Sequence, residues 1–81
     1  MNKVMVEVFK TDVKDKRQAK LLVDQIQRAF SSYSVNFDLD DCDKILRVQC
    51  LTGSVDASFL IKLLGSSGFH AEVLSDEADV L

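Results

Sequence analysis

The chain has 81 residues, of which 47% are hydrophobic and 28% are charged, and its formal net charge is -3 at pH 7. These values are typical of one soluble globular domain and exclude a disordered chain, while the apolar runs are far too short to span a bilayer. The basic residues are few, balanced by acids and without exposed aromatic neighbours, which argues against a nucleic-acid partner.

The charges are distributed unevenly along the chain. Up to Phe30 there are seven bases and four acids, whereas from Ser31 onward there are three bases and nine acids. Residues 75–81 are predicted to form an acidic tail behind a single domain of residues 1–74. The asymmetry indicates either a docking surface or two solvated faces that attract each other weakly.

The start of the chain shows no apolar signal segment, so the expected location is the cytoplasm. The two cysteines are predicted to be reduced thiols. Cys42 falls in a predicted turn and Cys50 lies about a strand's length away, beyond the reach of a disulfide.

The first half of the chain predicts a strand followed by a helix. Residues 4–10 alternate, with Val4, Val6 and Val8 on one face and Met5, Glu7 and Phe9 on the other. Asp15 and Gln18 form a variant of the capping box, in which the carboxylate accepts from free N–H groups and the amide reaches back. A helix is therefore expected from about Lys16. Its predicted inward face consists of Ala19, Leu22, Val23, Ile26 and Phe30.

The second half predicts a hairpin, a helix and a last strand. Residues 35–39 and 45–50 alternate on either side of the turn "DDCD". Gly68 is expected to end the second helix in a left-handed conformation. The second helix is expected to follow a cap at Ser54. The predicted inward residues are Leu46, Val48 and Cys50 in the third strand, Val55, Phe59, Leu60, Leu63 and Leu64 around the helix, and Phe69, Ala71 and Val73 in the last strand.

The resulting order βαββαβ predicts the ferredoxin-like split βαβ arrangement, an α+β fold. Right-handed crossovers place both helices on one face of a four-stranded antiparallel sheet, with the first and third strands in the centre. This topology brings residues 11–14, 40–43 and 66–68 to the same end of the molecule. A functional site is expected at that end.

The apolar spacing over residues 4–74 resembles that of the heavy-metal-associated domains, the fold of small copper chaperones. Those domains read M-T-C-x-x-C-V-x-x-I from the loop into the first helix. Here Val13 stands at the Met position, Lys14 at the Thr, Asp15 and Gln18 at the two Cys, Ala19 at the Val and Leu22 at the Ile. The stretch "SVDASFLIKLLGSSGFHAEVL" is similar to the family's second helix, Gly-aromatic turn and last strand.

The two cysteines that hold the metal in that family are absent here. Soft Cu(I) is selected by thiolates, which a carboxylate and an amide do not supply. Asp15 and Gln18 therefore predict that the copper binding of that family is lost here, and that the two side chains cap the helix instead. An alternative is an atypical ion-binding or metal-transport protein, in which Asp12, Asp15, Cys42 and His70 approach one another at the loop end. The acidic "DLDDCD" lacks the glycine and distal Glu of an EF-hand, so a solvated turn is expected there.

The resemblance implies a protein-interaction module. In the family the loop and first helix form the docking surface, and its basic residues meet an acidic partner. The corresponding residues here are Lys14, Lys16, Arg17 and Lys20. The module is expected to be a monomer or a weak homodimer without a cofactor.

An enzyme is the less expected class. The chain has one His, no nucleophile placed beside it and no Gly-rich phosphate loop, so no catalytic residue is nominated. Acylphosphatases share the predicted fold, but their phosphate-binding loop and its Arg have no counterpart between Phe9 and Asp15.

Overall fold

Six elements follow one another in the order predicted from the sequence. A computed structural model describes residues 5–51 and 53–74. The elements are β1 (Met5–Thr11), α1 (Lys16–Ala29), β2 (Tyr33–Asp38), β3 (Ile45–Cys50), α2 (Ala57–Ser66) and β4 (Ala71–Val73). Position 4, predicted to open the first strand, and the predicted tail of residues 75–81 lie outside the described residues.

The four strands form one antiparallel sheet in the order β2-β3-β1-β4. Phe9 in the centre of the sheet lies opposite Leu46 on β3 and Val73 on β4. Leu46 in turn lies opposite Phe37 on β2. The helices pack on the face that these side chains share, α1 against β2 and α2 against β4. The predicted ferredoxin-like α+β fold is therefore confirmed.

The first helix begins at the predicted residue, because Asp15 caps it. Its Oδ1 accepts from the backbone N–H of Arg17 at 2.8 Å, which satisfies one of the donors that a helix start leaves free. The predicted return contact from Gln18 is not among the hydrogen bonds of the described residues. The inward face is narrower than predicted. Three side chains on it are buried (Ala19, Leu22 and Ile26), and two at its margins are half-buried (Val23 and Phe30).

The second helix begins later than predicted. Asp56, rather than Ser54, is the N-cap, and its Oδ1 accepts from the backbone N–H of Phe59 at 3.0 Å. The backbone N–H of Asp56 donates to the hydroxyl of Tyr33 at 2.8 Å, which holds the cap against the start of β2. Leu60 and Leu64 are fully buried as predicted. Phe59 is 38% exposed, because it meets the ring of Phe30 edge-on rather than entering the core.

The core lies between the helices and one face of the sheet. It is built around side chains with no measurable exposure: Phe9, Val13, Ile26, Leu46, Val48, Leu60 and Leu64. The predicted inward residues of β3 are all buried, whereas Arg47 is exposed. In β4, Ala71 is buried but Val73 is 40% exposed, because β4 is a three-residue strand at the edge of the sheet. Cys42 is exposed in the turn and Cys50 is buried at the far end of β3.

Two backbone conformations fix the turns at the loop end. Gly68 has φ 91°, the left-handed conformation predicted for it after α2. Lys44 has φ 48°, which is unusual for a residue with a side chain, and its Nζ donates to the carbonyl of Leu39 across the β2–β3 turn at 3.0 Å. No helix in residues 5–51 and 53–74 is long and apolar enough to cross a membrane.

Candidate functional site

The end of β1 is joined to the β2–β3 turn by Thr11, a buried polar residue. Its backbone N–H donates to the carbonyl of Asp43 at 3.1 Å, and its Oγ1 donates to the carbonyl of Lys44 at 2.6 Å. The same Oγ1 accepts from the N–H of Val13 at 3.2 Å. One side chain thus fixes both the turn and the first residues of the β1–α1 loop.

The β1–α1 loop is joined to the start of β4 by a pair of reciprocal bonds. The N–H of Asp12 donates to the carbonyl of His70 at 3.3 Å, and the N–H of His70 donates to Oδ1 of Asp12 at 2.8 Å. The imidazole points to solvent, where Nε2 lies 3.4 Å from Oε1 of Glu72. The three connections predicted to meet at one end of the molecule therefore do meet.

The potential metal ligands at this end are distributed differently from the predicted set. Within the described ranges, ligand atoms of three such side chains come within 4.8 Å of one another at one place, in Asp41, Cys42 and Asp43. Of the four predicted ligands, only Cys42 belongs to this cluster. Asp12 binds the backbone of the α2–β4 connection, and Asp15 caps α1.

The acidic turn already has internal partners. Oδ1 of Asp41 accepts from the N–H of Asp43 at 2.9 Å, a local turn contact. Nζ of Lys10 lies 3.8 Å from Oδ1 of Asp43, and both side chains remain substantially exposed. A cation entering the turn would compete with the ammonium group of Lys10 for this carboxylate. This exposed ion pair is weak, so the contact from Asp41 to the N–H of Asp43 is the firmer of the two.

The four predicted docking residues, Lys14, Lys16, Arg17 and Lys20, form a basic surface over the loop and the first half of α1. All four are exposed. None of them forms an ion pair with a carboxylate in the described part of the chain. The one ion pair within α1 joins Arg28 to Asp24 at 3.3 Å, nearer the end of the helix. The positive charge at the start of α1 is thus not neutralised by a contacting side chain.

A shallow groove of about 570 Å³ runs along the outward side of α1, next to these cations. Its lining consists of Arg17, Lys20, Leu21, Val23, Asp24 and Gln27. Leu21 is 62% exposed, more than any other large apolar residue described. The groove therefore combines an exposed leucine with two cations, Arg17 and Lys20, while its one carboxylate, Asp24, is paired with Arg28.

Leu21 is a functional candidate that the sequence pattern did not indicate. Its position between Lys20 and the buried Leu22 places it off the inward face of α1, so the helical period by itself indicates that Leu21 is exposed. A single exposed leucine has no significance by itself. Its significance here comes from the groove and the neighbouring cations, which only the folded chain reveals.

Comparison of the chain with models of protein families, with curated proteins and with solved structures finds no match. The resemblance to heavy-metal-associated domains therefore remains a hypothesis, carried by the spacing of residues 13–22 and by the pattern of residues 54–74.

Proposed function

We propose that this chain is a small non-catalytic binding module that docks an acidic protein partner through the exposed side of α1. We define the α1 docking face as Lys14, Lys16, Arg17, Lys20, Leu21 and Val23. The observation that carries the proposal is the groove in which the exposed Leu21 lies beside Arg17 and Lys20, neither of which contacts a carboxylate in the described residues.

The two kinds of side chain in this face have separate roles in binding. Burying a fully exposed leucine contributes about 1.5 to 3 kcal/mol, and Leu21, which is 62% exposed, contributes the corresponding fraction of that free energy. Surface cations add less affinity, but they select an acidic partner and raise the rate of encounter. A partner that presents acidic residues around an apolar side chain matches both features.

The same surface is the one that the resemblance implies. In heavy-metal-associated domains the loop and first helix contact the partner, and Asp15 and Gln18 stand here where that family has its cysteines. Docking at this surface requires no metal. The proposal is therefore that the docking surface is retained while Asp15 serves as a helix cap.

A synthetic peptide with one leucine flanked by glutamates is a suitable probe, and its binding to the full chain is measured by fluorescence anisotropy. Lys20→Glu is expected to weaken binding about threefold to tenfold, because it places a carboxylate beside the groove. Lys62→Glu makes the same change on α2, away from the groove, and is expected to leave the affinity nearly unchanged.

A second matched pair tests the apolar part of the face. Leu21→Ser is expected to weaken binding of the peptide, whereas Leu51→Ser removes a leucine that is also exposed, 54% against 62%, but does not line the groove. Equal losses in both members of either pair would contradict docking at the α1 face.

Ion binding is the second candidate function, and one observation favours it: Asp41, Cys42 and Asp43 bring two carboxylates and a thiol within 4.8 Å of one another. Zn(II) accepts such mixed ligands. Titration with Zn(II), followed by amide NMR, is expected under this alternative to shift the β2–β3 turn and to lose that response in Cys42→Ser. A titration without saturable shifts in the turn would rule it out.

A further inference from the structure

Along β2, successive residues direct their backbone N–H and C=O groups alternately toward β3 and away from the sheet. The hydrogen bonds between β1 and β4, at the opposite edge of the sheet, determine which residues do which. The N–H of Leu74 donates to the carbonyl of Val8 at 2.8 Å, so Phe9 and Val73 form a pair without mutual hydrogen bonds. The backbone groups of Phe9 therefore point toward Leu46 on β3. The backbone groups of β3 residues alternate in the same way between β1 and β2. The backbone N–H and C=O groups that point toward β3 are therefore those of Ser34, Asn36 and Asp38. Those that point outward, away from the sheet, belong to Tyr33, Val35 and Phe37.

Side chains and turns close both ends of this outer edge. At the start of β2, the N–H of Tyr33 donates to the carbonyl of Phe30 at 3.1 Å, and its carbonyl accepts from Nε2 of Gln27 at 3.4 Å. These contacts independently confirm that the backbone N–H and carbonyl of Tyr33 point away from β3, although its side chain is buried. Beyond the end of β2, the carbonyl of Leu39 accepts from Nζ of Lys44.

The middle of the edge remains open. The outward N–H and C=O groups of Val35 and Phe37 have no hydrogen-bond partner within the residues described. The strand contains no proline and no lysine, and its one charged residue, Asp38, stands at its end. The features with which proteins usually block a sheet edge are therefore absent from these six residues.

We propose that a second copy of this chain pairs with β2 in an antiparallel arrangement centred on Asn36. In this register Val35 of each chain lies opposite Phe37 of the other. Each of these two pairs exchanges two backbone hydrogen bonds, so the four open groups of each chain are all satisfied. A register centred on Val35 would instead require Tyr33, whose N–H and carbonyl both have partners already. A register centred on Phe37 would require Leu39, whose carbonyl already accepts from Nζ of Lys44.

The side chains are compatible with this register. On the helix-covered face, the half-buried Val35 and Phe37 meet across the two chains and extend the apolar layer. On the open face, the exposed Asn36 lies next to its symmetry mate, and Ser34 lies opposite Asp38. No like charges directly oppose each other within the paired strands.

The expected dimer is weak. Four hydrogen bonds and two short strands bury less surface than a standard interface, so we expect a dissociation constant between about 10 μM and 1 mM. The pairing surface is the outer edge of β2, which borders the α1 docking face, because Lys16 lies beside Phe37 and Gln27 of the groove donates to the carbonyl of Tyr33. The pairing uses backbone groups of β2, so dimerisation requires no partner at the α1 docking face.

Two substitutions on the open face of β2 should shift the monomer–dimer equilibrium in opposite directions. Asn36→Asp places two carboxylates directly opposite each other across the symmetry axis, and it should raise the dissociation constant about twofold to fivefold. Ser34→Lys places an ammonium group opposite Asp38 twice, and it should lower that constant about twofold to tenfold. Both side chains point to solvent in the single chain, so neither change disturbs the core.

Ser58→Asp and Ser58→Lys are the matched controls, because they make the same changes of net charge at an exposed position of α2. Sedimentation equilibrium of the full chain measures all five proteins. Hydrogen exchange of the Val35 and Phe37 amides, followed by NMR, should slow as the protein concentration rises. A chain that stays monomeric up to about 1 mM, variants at residues 34 and 36 that follow the Ser58 controls, or unchanged exchange at Val35 and Phe37 would each overturn the proposal.

Discussion

Thr11 joins two connections at the loop end through one buried hydroxyl. The hydroxyl donates a hydrogen bond to the carbonyl of Lys44 and accepts one from the N–H of Val13. Lys44 is left-handed, so this bond supports a conformation that is unfavourable for a residue with a side chain. The residue was not singled out in the sequence, because a threonine at the end of a strand has no distinguishing neighbours.

Thr11→Val tests this role, because it keeps the shape of the side chain and removes the hydroxyl. The N–H of Val13 and the carbonyl of Lys44 would both lose their partner in a buried setting. We expect a loss of about 1 to 3 kcal/mol in the free energy of unfolding, measured by urea titration. Thr11→Ser retains the hydroxyl and should lose clearly less. Equal stability of Thr11→Val and the parent would show that these bonds contribute nothing.

In α1 the sequence predicts both the buried side chains and the cap. The apolar period correctly indicated that Ala19, Leu22 and Ile26 are buried, because a helix must bury one side. The cap was also readable, since Asp15 directly precedes the periodic residues. The N-cap of α2 is Asp56 rather than the predicted Ser54: both residue types favour an N-cap, and the hydroxyl of Tyr33, 23 residues away, accepts from the N–H of Asp56 and holds it there.

The cap of α1 gives a direct prediction. Asp15→Ala should lower the free energy of unfolding by about 0.5 to 2 kcal/mol, because the N–H of Arg17 loses its acceptor. Asp15→Asn keeps an oxygen acceptor and should lose less. Thermal unfolding by circular dichroism measures both. Equal stability of the three proteins would contradict the assigned cap.

The two sides of α1 should respond differently to the same kind of change. Ile26 is fully buried, so Ile26→Ala should cost about 2 to 5 kcal/mol of stability. Leu21 is 62% exposed, so Leu21→Ala should change the free energy of unfolding by no more than about 0.5 kcal/mol. The same substitution should lower the affinity of the chain for the acidic peptide. Urea unfolding separates the two variants. Similar losses of stability would show that Leu21 contributes to the core rather than to a docking face.

For the domain as a unit, the sequence predicts the fold but only part of the candidate site. The order of strands and helices followed from alternation and helical period, and the topology then fixed which connections are neighbours. The ligand set did not follow, because Asp12 and His70 are drawn into backbone contacts across 58 residues. The groove beside Leu21 could not be predicted either, since the exposure of a side chain depends on the packing of its neighbours.

The resemblance to heavy-metal-associated domains can be tested on the folded chain. If Asp15 and Gln18 occupy the two cysteine positions, Asp15→Cys combined with Gln18→Cys should create a site for a soft ion, with sulfur–metal distances of about 2.3 Å for zinc. The nearby helix start favours thiolates there. Competition against a Cu(I) chelator should show binding that the parent does not have. A folded double variant that binds no more tightly would reduce the resemblance to a shared fold.

Binding of an acidic partner at the proposed α1 docking face is located directly by amide NMR of the labelled full chain. The chain is titrated with the leucine-and-glutamate peptide, and with a peptide in which lysines replace the glutamates. We predict that the acidic peptide shifts the amides of the α1 docking face, within residues 14–23, and leaves α2 and the acidic turn unchanged, while the basic peptide leaves the face unchanged. Shifts confined to other surfaces, or equal responses to both peptides, would contradict binding at this face.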